Sequence, residues 1–365
     1  MNPAVRGTLV APQLVHIPKQ TILWLSEETE PSVRYYTLTR LAGKSEGDAD
    51  VKAAKALIGK KGWVAKILAR QKERTWWDNP SHCYIPKYTS CVWNLIVLAD
   101  LGATRGDTRI SNACEHFMKL HNVDSGGFSL RPTGSPKFEP HVCLTGNMVA
   151  SLSRLGYGGD ARVRRAADWL VSQQLADGGW NCYVKFGSKH GSFKSTIEPL
   201  WGLAEALKLA EKDEWKKSAE KGAEFLLRHR LYRSESTGSV VMLDFTRLHY
   251  PLHYHYDILH GLRVLRELGL HDDPRLDDSL RLLLSKRTPQ GRFPLEGTYR
   301  GWIHPQSADG DYVERPEEKE VIERGWGEGR TLQLEDVGKP SKWITMQAII
   351  VLSEFSRISI PKAVD

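Results

Sequence analysis

Long hydrophobic runs are missing from this 365-residue chain: no stretch of about 18 apolar residues occurs, which excludes a membrane-spanning helix. Segment Met1–Gln13 also lacks the apolar centre of a secretory signal. Cysteine is scarce, with five residues at 83, 91, 114, 143 and 182 and no Cys-x-x-Cys pair. That excludes a small disulfide scaffold and reads as a reduced, cytoplasmic chain. Charge of one sign is missing too: 51 Lys and Arg face 44 Asp and Glu, for a net +7, and no block of like charge appears. No segment interleaves Lys or Arg with aromatics on a nucleic-acid module, so a nucleic-acid partner is not expected. Scattered basic charge is a solvated surface that also suits a diphosphate or another small anion. Strand signals are few. Gly238–Leu243 and the stretch from Leu295 to Trp302 are the only candidates for a hairpin or long loop.

What the sequence does contain is a repeat. Apolar stretches end near Leu-Gly and restart on an acidic residue at Asp48, Asp107, Asp160, Asp213 and Asp272, at spacings of 59, 53, 53 and 59 residues. Gly43, Gly102, Gly156 and Gly269 fall where a left-handed residue closes a helix. The following Asp supplies an N-cap or first-turn charge to the next helix. Each unit is therefore a helix, a tight turn and a second helix.

The two helices of a unit differ in kind. The first ones, about 33–42, 90–101, 142–155, 195–209, 255–268 and 342–355, are apolar or small on most sides. The second ones, about 49–59, 108–120, 160–174, 213–228 and 274–286, are charged on one face only. A helix wet on one face belongs outside, and one apolar nearly all round belongs inside. Six inner helices with outer partners predict an all-α, (α/α)6 toroid filling residues 1–365 as one domain, with the segment from Thr21 as the missing outer helix. An open superhelix of helix pairs is the alternative. Residues 1–20 read as an extended arm, and 306–339 as a long loop or lid.

A second signature follows the outer helices: Gln174-Leu-Ala-Asp177-Gly178-Gly179-Trp180, with partial copies at Asp124-Ser-Gly126-Gly127-Phe128 and Pro289-Gln290-Gly291-Arg-Phe293. It resembles the Gln-Trp motif of squalene and hopene cyclases and the Gly-Gly-Phe turns of protein prenyltransferase β subunits. Both belong to the prenyltransferase and squalene-oxidase repeat superfamily. The resemblance covers roughly residues 33 to 355 and implies the closed toroid. The Asp-x-Asp-Asp motif with which the cyclases start their reaction is absent.

In such a ring, residues at or just before the start of each inner helix converge on one mouth. This selects Lys87, Tyr88 and Trp93 from the second inner helix, and Cys143 and Asn147 from the third. The fourth contributes Cys182, Phe193, Lys194 and Glu198, the fifth His253, His255 and Asp257, and the sixth Lys342 and Trp343. Asp257, flanked by histidines in a first turn, is the expected acid or base, with Glu198 second; an N-cap role for Asp257 stays open. Tyr88, Trp93, Phe193, Tyr254, Tyr256 and Trp343 are expected to shield positive charge with their ring faces, or else to fill space. Lys87, Lys194 and Lys342 are expected to attract an anion.

Cys143, Cys182 and His255 enter from consecutive repeats, and zinc takes thiolate and imidazole in tetrahedral geometry. The resemblance implies the same metal, since prenyltransferase β subunits hold zinc through an Asp-x-Cys and a His at this mouth. His141-x-Cys143 falls where the Asp-x-Cys would, and Lys194 where the His would. Buried cysteine as apolar filler is the other reading. The function expected is a terpenoid cyclase or prenyltransferase-like enzyme, with Zn2+ as candidate cofactor and an isoprenoid or similarly apolar substrate in the central cavity. A non-catalytic toroid binding a ligand or protein partner, and a carbohydrate-active α/α barrel with paired acids, are the alternatives.

Overall fold

A computed structural model describes residues 15–78, 80, 83–84, 86–130, 139–253, 255–298 and 333–359. In chain order the helices are α1 (Lys19–Leu25), α2 (Pro31–Tyr36, widened into a π turn over Thr37–Leu41), α3 (Ala49–Leu57), α4 (Gly62–Ala69), α5 (Cys91–Asp100), α6 (Thr108–Met118), α7 (Val142–Leu152), α8 (Ala161–Ser172), α9 (Phe193–Leu207), α10 (Asp213–Arg228), α11 (Ile258–Glu267), α12 (Asp277–Ser285) and α13 (Lys342–Glu354). Helices α2, α5, α7, α9, α11 and α13 form the inner wall. From α5 onward each packs on the next, α13 packs back on α2, and α4 contacts both α2 and α5, which closes the ring. Outside them lie α3 and α4, α6, α8, α10, α12 and, against α13, α1. The chain is an all-α (α/α)6 toroid.

The outer helices begin as their sequences dictate. The side chains of Asp48, Asp107 and Asp160 each accept the backbone N–H two residues on. In the fifth unit Asp273, not Asp272, does this, because Pro274 fixes the first position of the turn. Asp213 lies in the first turn of α10 and accepts no capping bond. Gly43, Gly102, Gly156 and Gly269 all take positive φ. Helix α4 was not expected from the sequence.

Strand structure among the described residues is a parallel pair, Val15–His16 with Ile358–Ser359, plus isolated bridges. The expected hairpin from Gly238 to Leu243 is a single bridge between Arg233 and Val240. Its apolar residues are too exposed to anchor a strand. Gly297 bridges to His249, and residues 299–302 lie outside the described residues. The expected arm at 1–20 lies outside them up to residue 14 and then becomes the short strand and α1. Of the expected lid, 306–332 also lies outside. Glu335 instead caps α13, accepting the Lys342 N–H at 2.6 Å.

The Gln174–Trp180 segment is a joint between neighbouring pairs. Gln174 Nε2 donates to the carbonyls of Gly178 and Ser218, both at 2.8 Å, tying α8 to α10. The Trp180 indole N–H donates to Leu170 O at 2.7 Å, and its backbone N–H donates to Thr196 Oγ1 at 3.0 Å. The same device recurs as Phe128 N–H to Thr145 Oγ1 and Phe293 N–H to Thr345 Oγ1. In each case a buried aromatic turn locks onto a threonine of the following inner helix.

Candidate functional site

The inner helices are not apolar all round, as the sequence suggested. Lys194, Glu198, Trp201 and Glu205 lie at intervals of four, three and four on α9, which aligns them on one face. Cys143, Asn147 and Ser151 on α7, with Arg154 just beyond its end, follow at intervals of four, four and three and likewise share a face. Contacts across the ring show that these faces meet in the lumen. Arg263 of α11 donates to Asp100 of α5 at 2.9 Å, and Arg154 reaches Glu205 at 2.9 Å and Asp100 at 3.9 Å. These charges sit toward the C-terminal ends of the inner helices and close that end of the lumen. Sequence reasoning missed them because a single charged residue in an apolar helix is a weak signal; the spacing on α9 was the available clue.

The opposite mouth is closed by aromatics. His253 stacks on Tyr88 at 4.9 Å between centroids and meets Trp93 edge-on at 5.5 Å, again across the ring. His253 holds φ of 50°, an unfavourable conformation for a side-chain-bearing residue. The Trp93 indole donates to Tyr84 O at 2.8 Å, and Trp343 stacks on Tyr250 at 4.9 Å. The expected cavity wall is therefore a set of mutually packed rings, nearly all fully buried. Burial pushes the His253 imidazole down to about 3, so it is neutral. Phe193 does not line the lumen but packs among Phe225, Phe245 and Tyr256, because it starts α9 on the side facing α10. Tyr254 lies outside the described residues.

Glu198 sits between these closures, 1% exposed. Neither carboxyl oxygen makes a well-formed hydrogen bond among the described residues, and the Asn147 Oδ1 likewise has no partner, but the Asn147 side chain lies close enough to favour the ionised form. Burial raises the Glu198 carboxyl well above the usual range; the Asn147 side chain opposes this and the Asp100 charge adds to it. Helices α7 and α9 approach unusually closely here: a Cβ on Gly146 would fall 2.3 Å from Pro199 N.

Asp257 has a different environment. Its Oδ1 accepts the His260 N–H at 2.8 Å, capping α11, and its Oδ2 accepts the His249 N–H at 2.9 Å. Both oxygens thus hold backbone, which gives Asp257 the capping role and weakens its claim as proton donor.

The expected metal set does not assemble. Cys143 and Cys182, 39 residues apart, are joined in a disulfide, so neither offers a thiolate and the chain is not fully reduced as expected. The loop after Trp180 folds back over α9 and brings Cys182 to α7, with Ser195 Oγ between them accepting the Cys182 N–H at 3.2 Å. Cys83, Cys91 and Cys114 are free and buried. His255 instead joins Asp244 and His249, and one ligand atom from each lies within 4.8 Å of the other two. His249 and His255 stack with centroids 4.8 Å apart. Burial works against charge on His249, but Asp244 and Asp257 outweigh it and hold the imidazole up to about 9. Burial and the neighbouring His249 charge push His255 well down.

The basic residues also divide. The Lys342 ammonium is bound by Glu27 at 2.6 Å on the outer side, so it is not poised for an anion. Lys194 is half-buried near Asp244, and burial lowers its ammonium below the ordinary value. Lys87 lies over the Tyr84 ring at 5.5 Å.

No family model and no curated protein matches the sequence. Among solved structures, the chain is similar to the type II terpene cyclase MstE from Scytonema, at 16% identity and TM-score 0.43 over 90% of this chain and 87% of that one. It is similar to an unsaturated glucuronyl hydrolase specific for heparin, at 9% identity and TM-score 0.45 over 95% and 92%. It is also similar to the GH76 α-mannanase BT2949 from Bacteroides thetaiotaomicron, at 13% identity and TM-score 0.45 over 94% and 87%. These likenesses assign the chain no reaction. No helix of the described residues is long and apolar enough to cross a membrane.

Proposed function

We propose that this chain is an acid–base enzyme of the terpenoid-cyclase or prenyltransferase-like class, with Glu198 as proton donor to an isoprenoid or similarly apolar substrate held inside the ring. The observation that carries this reading is the Glu198 carboxyl, fully buried beside Asn147 and raised well above the usual carboxylate range by that burial. A carboxyl in that setting is suited to hold and deliver a proton. Its transfer leaves a carboxylate in a low-dielectric lumen, where it attracts the cation it has created. The faces of Tyr88, Trp93, Trp201 and Trp343 supply further stabilisation of positive charge.

Entry requires Tyr88 and His253 to part, since their stacking spans the mouth. Lys194 and Lys87, at that mouth, are the groups suited to a substrate's anionic end. The carbohydrate reading needs a second free carboxylate across the lumen, whereas Asp100 is held by arginine and Asp257 by backbone N–H groups.

The test is incubation of the purified chain with geranylgeranyl diphosphate and with squalene, with products identified by mass spectrometry. Glu198→Gln is expected to lower turnover by about 100-fold or more. Conversion unaffected by Glu198→Gln would remove Glu198 from the reaction, and no conversion by the wild type would leave the ligand-binding toroid as the reading.

A further inference from the structure

We propose that Asp244, His249 and His255 form a zinc site at the mouth of the ring, with one coordination position left for water or an anionic ligand. The geometry comes from one loop. Asp244 lies in a short 3-10 turn (Leu243–Thr246), and the chain returns through His249 and His255 before α11 begins. His249 Nε2 lies 3.3 Å from Asp244 Oδ1, and His255 Nδ1 lies 3.4 Å from Asp244 Oδ2. Those separations are long for charge-assisted hydrogen bonds, which close to about 2.7–2.9 Å. Each histidine nitrogen stands from one Asp244 oxygen, Oδ1 for His249 and Oδ2 for His255, at about the ligand-to-ligand spacing around tetrahedral zinc, roughly 3.3–3.4 Å for bonds of about 2.0–2.1 Å. All three ligand atoms fall within 4.8 Å of one another.

A second feature supports the assignment. The other ring nitrogen of His249, Nδ1, faces Asp257 Oδ2 at 3.6 Å. A carboxylate behind a ligating histidine fixes the ring's orientation and raises its basicity. His249 is buried and the His255 side chain is 11% exposed, while Asp244 is more open, leaving a path for an ion and a fourth ligand. The Lys194 ammonium is the nearby positive charge opposing the ion; Asp244 and Asp257 outnumber it. Two histidines and one carboxylate, without thiolate, suit Zn2+ with an open position.

This assignment is independent of turnover and of Glu198. The full chain, freed of metal by chelation, is titrated with Co2+, whose visible absorption reports four-coordinate geometry, and then with Zn2+. Uptake of one Co2+ per chain, displaced by Zn2+, is expected, with at least a tenfold loss of affinity in Asp244→Asn and His249→Gln. The Cys143→Ser/Cys182→Ser double variant and Glu198→Gln are expected to bind as the wild type does. Should His249→Gln fail to fold, partly exposed Asp244 carries the comparison, with circular dichroism as the fold check. No Co2+ uptake by the folded wild type, or uptake undiminished in Asp244→Asn, would overturn the site. Loss confined to the cysteine variant would also overturn it.

Discussion

Arg263 and Asp100 stand on opposite inner helices, the fifth and the second of six, and their side chains meet at 2.9 Å. This contact crosses the lumen and joins halves of the ring that are far apart in sequence. Both groups are buried, so removing one strands the other. Asp100→Ala is expected to cost about 3–5 kcal/mol, measured as a lower midpoint in urea unfolding. A loss under about 1 kcal/mol would mean the charges find other partners.

Asp257 holds two backbone N–H groups, those of His249 and His260. Asp257→Ala leaves both buried donors empty and removes the cap of α11, at a cost of about 2–4 kcal/mol. Thermal unfolding should show this loss whether or not substrate is present. A variant of unchanged stability would return Asp257 to candidacy as a catalytic group.

The Glu198 carboxyl titrates above its unfolded value of 4.5. Its contribution to stability is therefore fully present below about pH 4.5 and is lost as pH rises toward the folded value. Glu198→Gln has no such dependence. The stability of the variant relative to the wild type is expected to grow as pH rises above about 4.5. Parallel pH profiles from paired denaturation curves would place an ionised carboxylate at this position.

The Cys143–Cys182 bond leaves three of five thiols free. Thiol titration of the denatured, unreduced chain is expected to find three, and five after reduction. Reduction is expected to lower stability by roughly 3–4 kcal/mol for a loop of this size. Five thiols before reduction would reopen both cysteines to other chemistry.

Thr196 accepts the buried Trp180 N–H. Thr196→Val conserves shape and removes the acceptor, at an expected cost of about 1–3 kcal/mol. Thr145→Val and Thr345→Val should fall in the same range, while exposed Thr237→Val should stay within about 0.5 kcal/mol. Equal small effects in all four would mean the joints hold by packing alone.

By itself the sequence determined the ring. Helix starts at Asp48, Asp107 and Asp160, the left-handed glycines, and the contrast between charged and apolar helices are local signals, because capping and amphipathicity act within a turn or two of chain. The glutamine at a helix end and the ring after a glycine pair, Gln174 and Trp180, likewise pointed to a joint that the structure contains. Only tertiary structure decided what faces what inside the ring. Glu198 and Asp257 look alike in sequence, each a carboxylate early in an inner helix, yet one makes no well-formed hydrogen bond among the described residues and the other holds two backbone groups. Cys143 could equally have met His255 or Cys182. Such choices depend on loops that return from outer helices, and loop paths follow from packing between segments tens of residues apart, not from the pattern of any one segment.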